Sequence, residues 1–213
     1  MSRDFLLMLI VGAVWVSIDH QCFPQGTISY YQPPSPIVLL DTGFGQQYPI
    51  DIDSDGNTDF TFFYSFIFLG VRVENANHLL ILQDPPPNIG GPIAPLSDGF
   101  AIGPSSPNGS LRWWSGSEGD FVYLADYYNG MGNGPFAGQR AYMGVEFERA
   151  GATHYGWLLL QVSGEYEAVA AIESWAWETR PGVAILAGAV PEPSTLALLS
   201  LNGIVIWFFK RRK

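Results

Sequence analysis

An all-β fold, a single-domain β-sandwich of jelly-roll-like type, is what this sequence predicts, on three observations. Runs rich in aromatic and β-branched residues recur at 60–73, 79–82, 121–128, 141–148 and 155–163. Clusters of Pro, Gly, Asn and Ser separate them, drawn from 24 glycines and 16 prolines in 213 residues. No long stretch repeats apolar residues at helical spacing, whereas Thr58 to Tyr64 and the end of Ala141 to Glu148 alternate at period two. That period sends successive side chains to opposite faces of a pleated strand. Short strands so punctuated bury themselves by packing two sheets face to face. A propeller or solenoid would need an internal repeat, and the sequence shows none.

Taken in order from the N-terminus, Arg3 is followed by an uncharged run from Phe5 to Ile18 and then by the polar residues Asp19, His20 and Gln21. A basic start, a short apolar core and a polar exit describe a secretory signal. The expected cut lies between Ser17 and Gly26, which assigns residues 1–26 to the signal; an uncleaved N-terminal anchor is the alternative. The single cysteine, Cys22, sits beside this segment without the Leu-small-small context of a lipoprotein site. The domain at residues 27–189 therefore needs no disulfide and can build no cysteine-based metal site.

Between residues 27 and 190 there are 17 Asp plus Glu against five Arg and no Lys, a balance of −12. Such a surface repels a phosphate backbone, which excludes nucleic acid as a partner. It also concentrates divalent cations, which could bridge it to an acidic polysaccharide.

The stretch that could carry inorganic chemistry is DIDSDGNTDF, residues 51–60. Calcium takes six to eight oxygens, and Asp51, Asp53, Asp55, the Asn57 carbonyl and Asp59 fall at positions 1, 3, 5, 7 and 9 of a loop with Gly56 at its turn. The twelfth position is Phe62 where a bidentate Glu would stand, so this is not an EF-hand; the loop resembles the calcium turns of secreted β-rich and dockerin-type modules. The alternative is an ordinary hairpin in which Ile50 and Ile52 face the core, Asp51 and Asp53 face water, and Asp55-Gly56-Asn57 makes the turn.

From Asp84 to Ser110 three consecutive prolines and repeated Gly-Pro steps predict an ordered surface loop packed over one sheet. In HYGWLLLQV, residues 154–162, Trp157, Leu159 and Gln161 fall on one strand face and Leu158, Leu160 and Val162 on the other, the pattern of a strand buried on both sides. His154 before it reads as a structural, hydrogen-bonded imidazole. The pairs Glu146 with Glu148 and Glu165 with Glu167 have the i, i+2 spacing of glycosidase carboxylates, but the same spacing describes the solvated face of an acidic strand. No Gly-x-Ser-x-Gly elbow occurs and only His78 and His154 lie in the domain, so no catalytic residues and no enzyme activity are expected.

Aromatic faces for stacking sugar rings are offered by Trp113-Trp114, beside Ser115-Gly116-Ser117, and by Tyr127-Tyr128, before Asn129-Gly130. Adjacent strand residues point to opposite faces, so at most one of each pair can be exposed if the other is core.

The last stretch runs VPEPSTLALL from Val190, stays apolar through Trp207, Phe208 and Phe209, and closes on Lys210, Arg211, Arg212 and Lys213. Residues 194–209 carry no charge and as a helix would measure roughly 24 Å, a marginal membrane span with an aromatic belt and a basic cluster that stays cytoplasmic. Pro191 and Pro193 keep the triplet with Glu192 extended and accessible. The triplet, the apolar segment and the basic end, in that order, resemble the C-terminal sorting signal of PEP-CTERM proteins. The resemblance implies a transmembrane sorting helix at 194–209, a membrane-anchored precursor and recognition by an exosortase, a multi-pass cysteine protease-transpeptidase. It further implies export to the envelope or an extracellular polysaccharide matrix of a Gram-negative bacterium. The strand at 154–162 and the following AWETRPGVAILAGAVPEPS are similar to the ends of secreted proteins of this type, which extends the likeness to roughly the last 60 residues and implies no activity. A structural or adhesive matrix protein associated with exopolysaccharide is the function expected, with a lectin-like carbohydrate-binding module as the alternative.

Overall fold

The computed structural model describes residues 27–40, 46–65, 68–83, 91–118, 121–128, 131–164 and 169–191. The expected signal peptide and the expected membrane helix lie outside these residues. Among the described residues fourteen strands form in chain order: β1 (Ile28–Tyr31), β2 (Ile37–Leu40), β3 (Gln47–Ile50), β4 (Phe60–Ser65), β5 (Phe68–Val73), β6 (His78–Leu82), β7 (Ala101–Ile102), β8 (Leu111–Ser115), β9 (Val122–Tyr128), β10 (Met131–Asn133), β11 (Arg140–Arg149), β12 (Ala152–Val162), β13 (Val169–Glu178) and β14 (Ile185–Leu186). No α-helix occurs among the described residues.

The strands make two principal antiparallel sheets. A seven-stranded sheet runs β1-β13-β12-β11-β6-β8, with β2 following β1 along the same edge of β13, and a five-stranded sheet runs β10-β9-β5-β4-β3. The run at 60–73 is two strands, β4 and β5, paired along their length from Phe60↔Val73 to Ser65↔Phe68. Their facing sides bury one core, to which β12 contributes Leu158, Leu160 and Val162, β13 contributes Ile172 and Trp175, and the smaller sheet contributes Phe60, Phe62, Leu69, Val71 and Leu124. The sandwich read from the sequence is present.

The opposite face of the seven-stranded sheet is buried as well. Tyr155, Trp157 and Leu159 of β12 pack there with Leu80, Ala94, Leu96, Ile102 and Ile185 in a second apolar cluster. The two-sided pattern of HYGWLLLQV is thus obeyed except at Gln161, which is exposed. A register shift against β13 falls between Leu159 and Leu160 and leaves Glu173 without an opposite residue.

Of the ordered surface loop expected at 84–110, the described residues from 91 on do pack over this outer face, but 92–96 is buried between strands and does not lie on the surface. β6 and β11 pair at only two positions, Val145↔Leu79 and Glu146↔His78, and residues 92–96 enter where they part. The Leu82 amide donates to the Pro92 carbonyl and the Ala94 amide to Leu80, while Leu96 and Tyr142 exchange both of their backbone bonds. Ile93, Ala94 and Leu96 are almost fully buried. Prolines lack a donor, so Pro92 joins the ladder through its carbonyl alone, while Ala94 and Leu96 supply amides. Beyond it β7 pairs with β14, Ile185↔Ile102 and Leu186↔Ala101, as a two-stranded clasp.

Candidate functional site

The acidic loop joins β3 to β4. Ile50 and Ile52 are buried as the hairpin reading requires, but Asp53 and Asp59 are also more than nine-tenths buried, so Asp53 does not face water. Ser54 and Gly56 adopt positive φ of 60° and 93°, a conformation that turns the loop back on its own carboxylates. The Asp51 carboxylate accepts from the amides of Asp55 (3.2 Å) and Gly56 (2.8 Å), and Asp53 accepts from Asp55 at 3.1 Å. Carboxylate oxygens of Asp51, Asp53 and Asp59 all fall within 4.8 Å of one another. Asp55 and Asn57 are exposed, and the Asp55 carboxylate takes the Asn57 amide at 2.8 Å and its side chain at 3.1 Å. Of the four carboxylates expected to bind calcium, the loop brings together three.

Two residues that the loop's sequence could not announce complete the cluster. Asn77, 2% exposed, donates to Asp59 Oδ1 at 2.9 Å and accepts from the Glu148 amide at 3.1 Å. Arg149, at the end of β11, places Nε 3.1 Å from Asp53 Oδ2 and its guanidinium over the Trp177 ring at 4.8 Å. Burial pushes the Asp59 carboxyl up to about 6, opposed by the Ile52 amide and Asn77 and assisted by Asp53 and Asp51. Asp53 is raised too, by burial and then by Asp55, against its bond to the Asp55 amide and the charge of Arg149. Three oxygens at this separation can share a divalent cation, and the raised carboxyls mark chiefly what their burial costs, with a smaller share from their mutual repulsion. Arg149 holds one oxygen of Asp53 in competition with such a cation.

A second polar group crosses the outer face of the long sheet, where Ser115, His78, Glu146 and Tyr155 stand opposite one another on β8, β6, β11 and β12. His78 Nδ1 lies 2.9 Å from Glu146 Oε1 as an ion-pair contact without hydrogen-bond alignment. Burial, and then Glu146, raise the Tyr155 phenol to about 12. Trp113 flanks this row, half-buried, its ring 5.9 Å from Tyr155. Trp114 is fully buried in the inner core, so it cannot stack a sugar, and of that pair Trp113 alone keeps an exposed part. Tyr127 and Tyr128 occupy β9 opposite Gly132 and Met131. The row is not legible in the sequence, since its members come from four strands 77 residues apart at the extremes.

His154 is structural. It is 5% exposed, its Nδ1 lies 2.9 Å from the Glu178 carbonyl, and its ring packs between Phe147 and Trp177. Glu178 itself is buried against Arg180, with both guanidinium contacts at 3.0 Å. Although burial opposes ionisation, Arg180 holds that carboxyl below the usual range.

Pro191 is exposed at the end of the described chain, and Glu192, Pro193, Lys210, Arg211, Arg212 and Lys213 lie outside the described residues. Residues 189–213 match the PEP-CTERM protein-sorting motif. No curated protein and no solved structure matches the chain. The motif implies export through a membrane-anchored precursor, processing by an exosortase, and a final place at the cell surface or outside it.

Proposed function

We propose that the domain is a non-catalytic structural or adhesive component of an extracellular polysaccharide matrix, held there in part through calcium. The observation that carries this reading is the attachment of an exosortase-type sorting motif to an acidic, lysine-free β domain. Two polyanions repel unless a cation lies between them, and Asp51, Asp53 and Asp59 gather three carboxylate oxygens at cation-sharing distance. Calcium there would offset much of the loop's negative charge and leave coordination positions open toward a uronate or sulfate group.

A second reading, direct sugar recognition, is favoured by the half-buried Trp113 beside Tyr155, with His78, Glu146 and Ser115 as polar partners on the same face. An aromatic ring flanked by a few hydrogen-bonding groups is the ordinary chemistry of a small-molecule site.

A pull-down of the domain on acidic and neutral polysaccharides, in millimolar calcium and in chelator, separates the two. Retention on acidic polymer that chelator abolishes supports the matrix reading. Calcium-independent retention of particular glycans, lost in Trp113→Ala, supports the lectin reading. No retention on any polymer overturns both.

A further inference from the structure

The chain does not leave the domain through a linker. β14 is paired to β7, the Ala187 amide donates to the Phe100 carbonyl at 2.8 Å, the Gly99 amide donates to the Ala187 carbonyl at 2.9 Å, and the Ala189 amide donates to Leu186 at 2.9 Å. Ile185 and Ala187 are each 2% exposed and belong to the outer core. Gly188 locks the last turn: its φ is +83°, and a Cβ there would meet Asp98 Oδ1 at 2.2 Å and the Tyr142 hydroxyl at 2.8 Å. Then Val190 is 46% exposed and Pro191 is exposed. The sorting match begins at residue 189, the last clasped residue.

A protease binds its substrate as an extended strand, recognising main-chain groups on both sides of the scissile bond. Between Ile185 and Ala189 several of those groups are engaged, by β7, by Phe100 and Gly99, and by the turn. Only Val190 separates Ala189 from Pro191, and two residues of extended chain span roughly 7 Å.

We propose that the β7–β14 clasp is a gate on the sorting reaction: while residues 185–189 stay docked, the processing enzyme is denied the domain side of its substrate strand, and cleavage waits for the clasp to open. The apparent rate is then the rate for an open clasp multiplied by the fraction of time it is open. After cleavage beyond Pro191 the new terminus can close again, so processing leaves the outer core intact. This inference rests on the sorting motif and not on the matrix role proposed above.

The test follows conversion of precursor to mature chain by pulse-labelling of the full-length protein in cells that contain the exosortase. One variant inserts a flexible Gly/Ser segment of about twelve residues between Ala189 and Val190, leaving the clasp closed but giving the enzyme free chain on the domain side. The second, Gly188→Ala, forces the native segment off its seat. Faster processing in either variant, by about tenfold where opening is rare in the parent, is the expected result. Unchanged or slower processing in both overturns the gate. If Gly188→Ala fails to fold, the insertion decides alone, because it lies past the last buried residue and should leave the melting temperature unchanged.

Discussion

The two faces of the seven-stranded sheet are buried by different means. The inner face meets a second regular sheet, so strand pleats interlock and the cover is made of Phe60, Phe62, Leu69, Val71 and Leu124 at fixed alternation. The outer face meets an irregular segment, two two-residue strands and the chain's own exit, contributing Ala94, Leu96, Ile102, Ile185 and Ala187. One cover is built by ladders of many hydrogen bonds; the other is held by a few bonds at Pro92, Ala94, Leu96 and Ala187. Stability should therefore be concentrated on the inner side and opening on the outer side.

The largest expected effect tests the inner core. Phe62 is fully buried, and Phe62→Ala should cost about 3–5 kcal/mol, enough to unfold a marginal domain. Urea denaturation should show a lower midpoint or no folded baseline. An equal loss for Ile185→Ala would break the comparison, since the outer cover should relax around the smaller side chain. Native-state hydrogen exchange sharpens it further: amides of Ala187 and Ala189 should exchange before those of β12.

Next in size is the acidic loop, which lies at the rim of the inner core. A cation that binds only the folded domain adds RT ln(1 + [L]/Kd), about 2.7 kcal/mol at 100 Kd. With no bidentate Glu at residue 62, affinity should be of the extracellular class, on the order of 10⁻⁴ to 10⁻³ M. Asp59 supplies the pH dependence. Its folded pKa of about 6 stands above its unfolded value, so the stability that protonated Asp59 contributes is complete below about pH 4 and lost as pH rises through 6. Calcium needs the ionised form, so its gain in melting temperature should be larger at pH 7 than at pH 5. Asp51→Asn with Asp53→Asn should remove that gain, and Glu148→Gln should not. A melting temperature identical in millimolar calcium and in chelator would leave the loop as a hairpin closed by Asp53 and Arg149.

Two glycines compare the faces directly. A Cβ on Gly156 would meet the Ala176 carbonyl oxygen at 2.7 Å and Trp177 Cβ at 3.1 Å, whereas one on Gly144 would meet side-chain atoms of Leu96 at 3.0 Å, Leu80 at 3.3 Å and Ile102 at 3.5 Å. The first obstacle is backbone of the paired strand β13; the second is side chains of the outer cover. Gly156→Ala should therefore cost about 2–3 kcal/mol and Gly144→Ala under about 1. Equal losses by thermal melting would mean that the outer cover is as unyielding as the backbone of β13.

What the sequence disclosed follows the same division. Strands at 141–148 and 155–163 are legible because the first ends in local alternation and the second is an apolar run buried on both sides; the bounds of β11 and β12 differ from them by at most three residues. β1, β2 and β3 were missed, being four residues each and without long alternation. The wedge at 92–96 and the clasp could not be read, because their bonds depend on where β6 and β11 diverge, a property of pairing between residues as distant in sequence as Leu79 and Val145. In the acidic loop the spacing picks out Asp51, Asp53, Asp55, Asn57 and Asp59, of which the fold gathers the carboxylates of Asp51, Asp53 and Asp59, while Asn77 and Arg149 arrive through the fold. Trp113 and Trp114 were separable only as a pair, one buried and one partly free.

The smallest effect concerns the turn between β11 and β12, the longest pairing in the molecule, running from Arg140↔Gln161 to Arg149↔Ala152. Ala150 and Gly151 make the connection with φ of 52° and 77°. Positive φ at both central residues is the type I′ geometry, whose twist matches that of the flanking strands and which Asn-Gly satisfies best. Gly151 is free of strain there, while Ala150 carries the clash of its Cβ with the following carbonyl oxygen. Ala150→Asn should relieve this without adding backbone freedom to the unfolded chain, and Ala150 is exposed, so the larger side chain meets solvent. A gain of about 0.5–1 kcal/mol is expected, read as a higher urea midpoint at unchanged slope. Because both strands serve both cores, the gain should appear in exchange protection of the inner and the outer amides alike. Protection that rises only on the inner side would show that the outer cover opens independently of the sheet beneath it. A midpoint at or below the parent's would mean the ladder, and not the turn, already fixes the register.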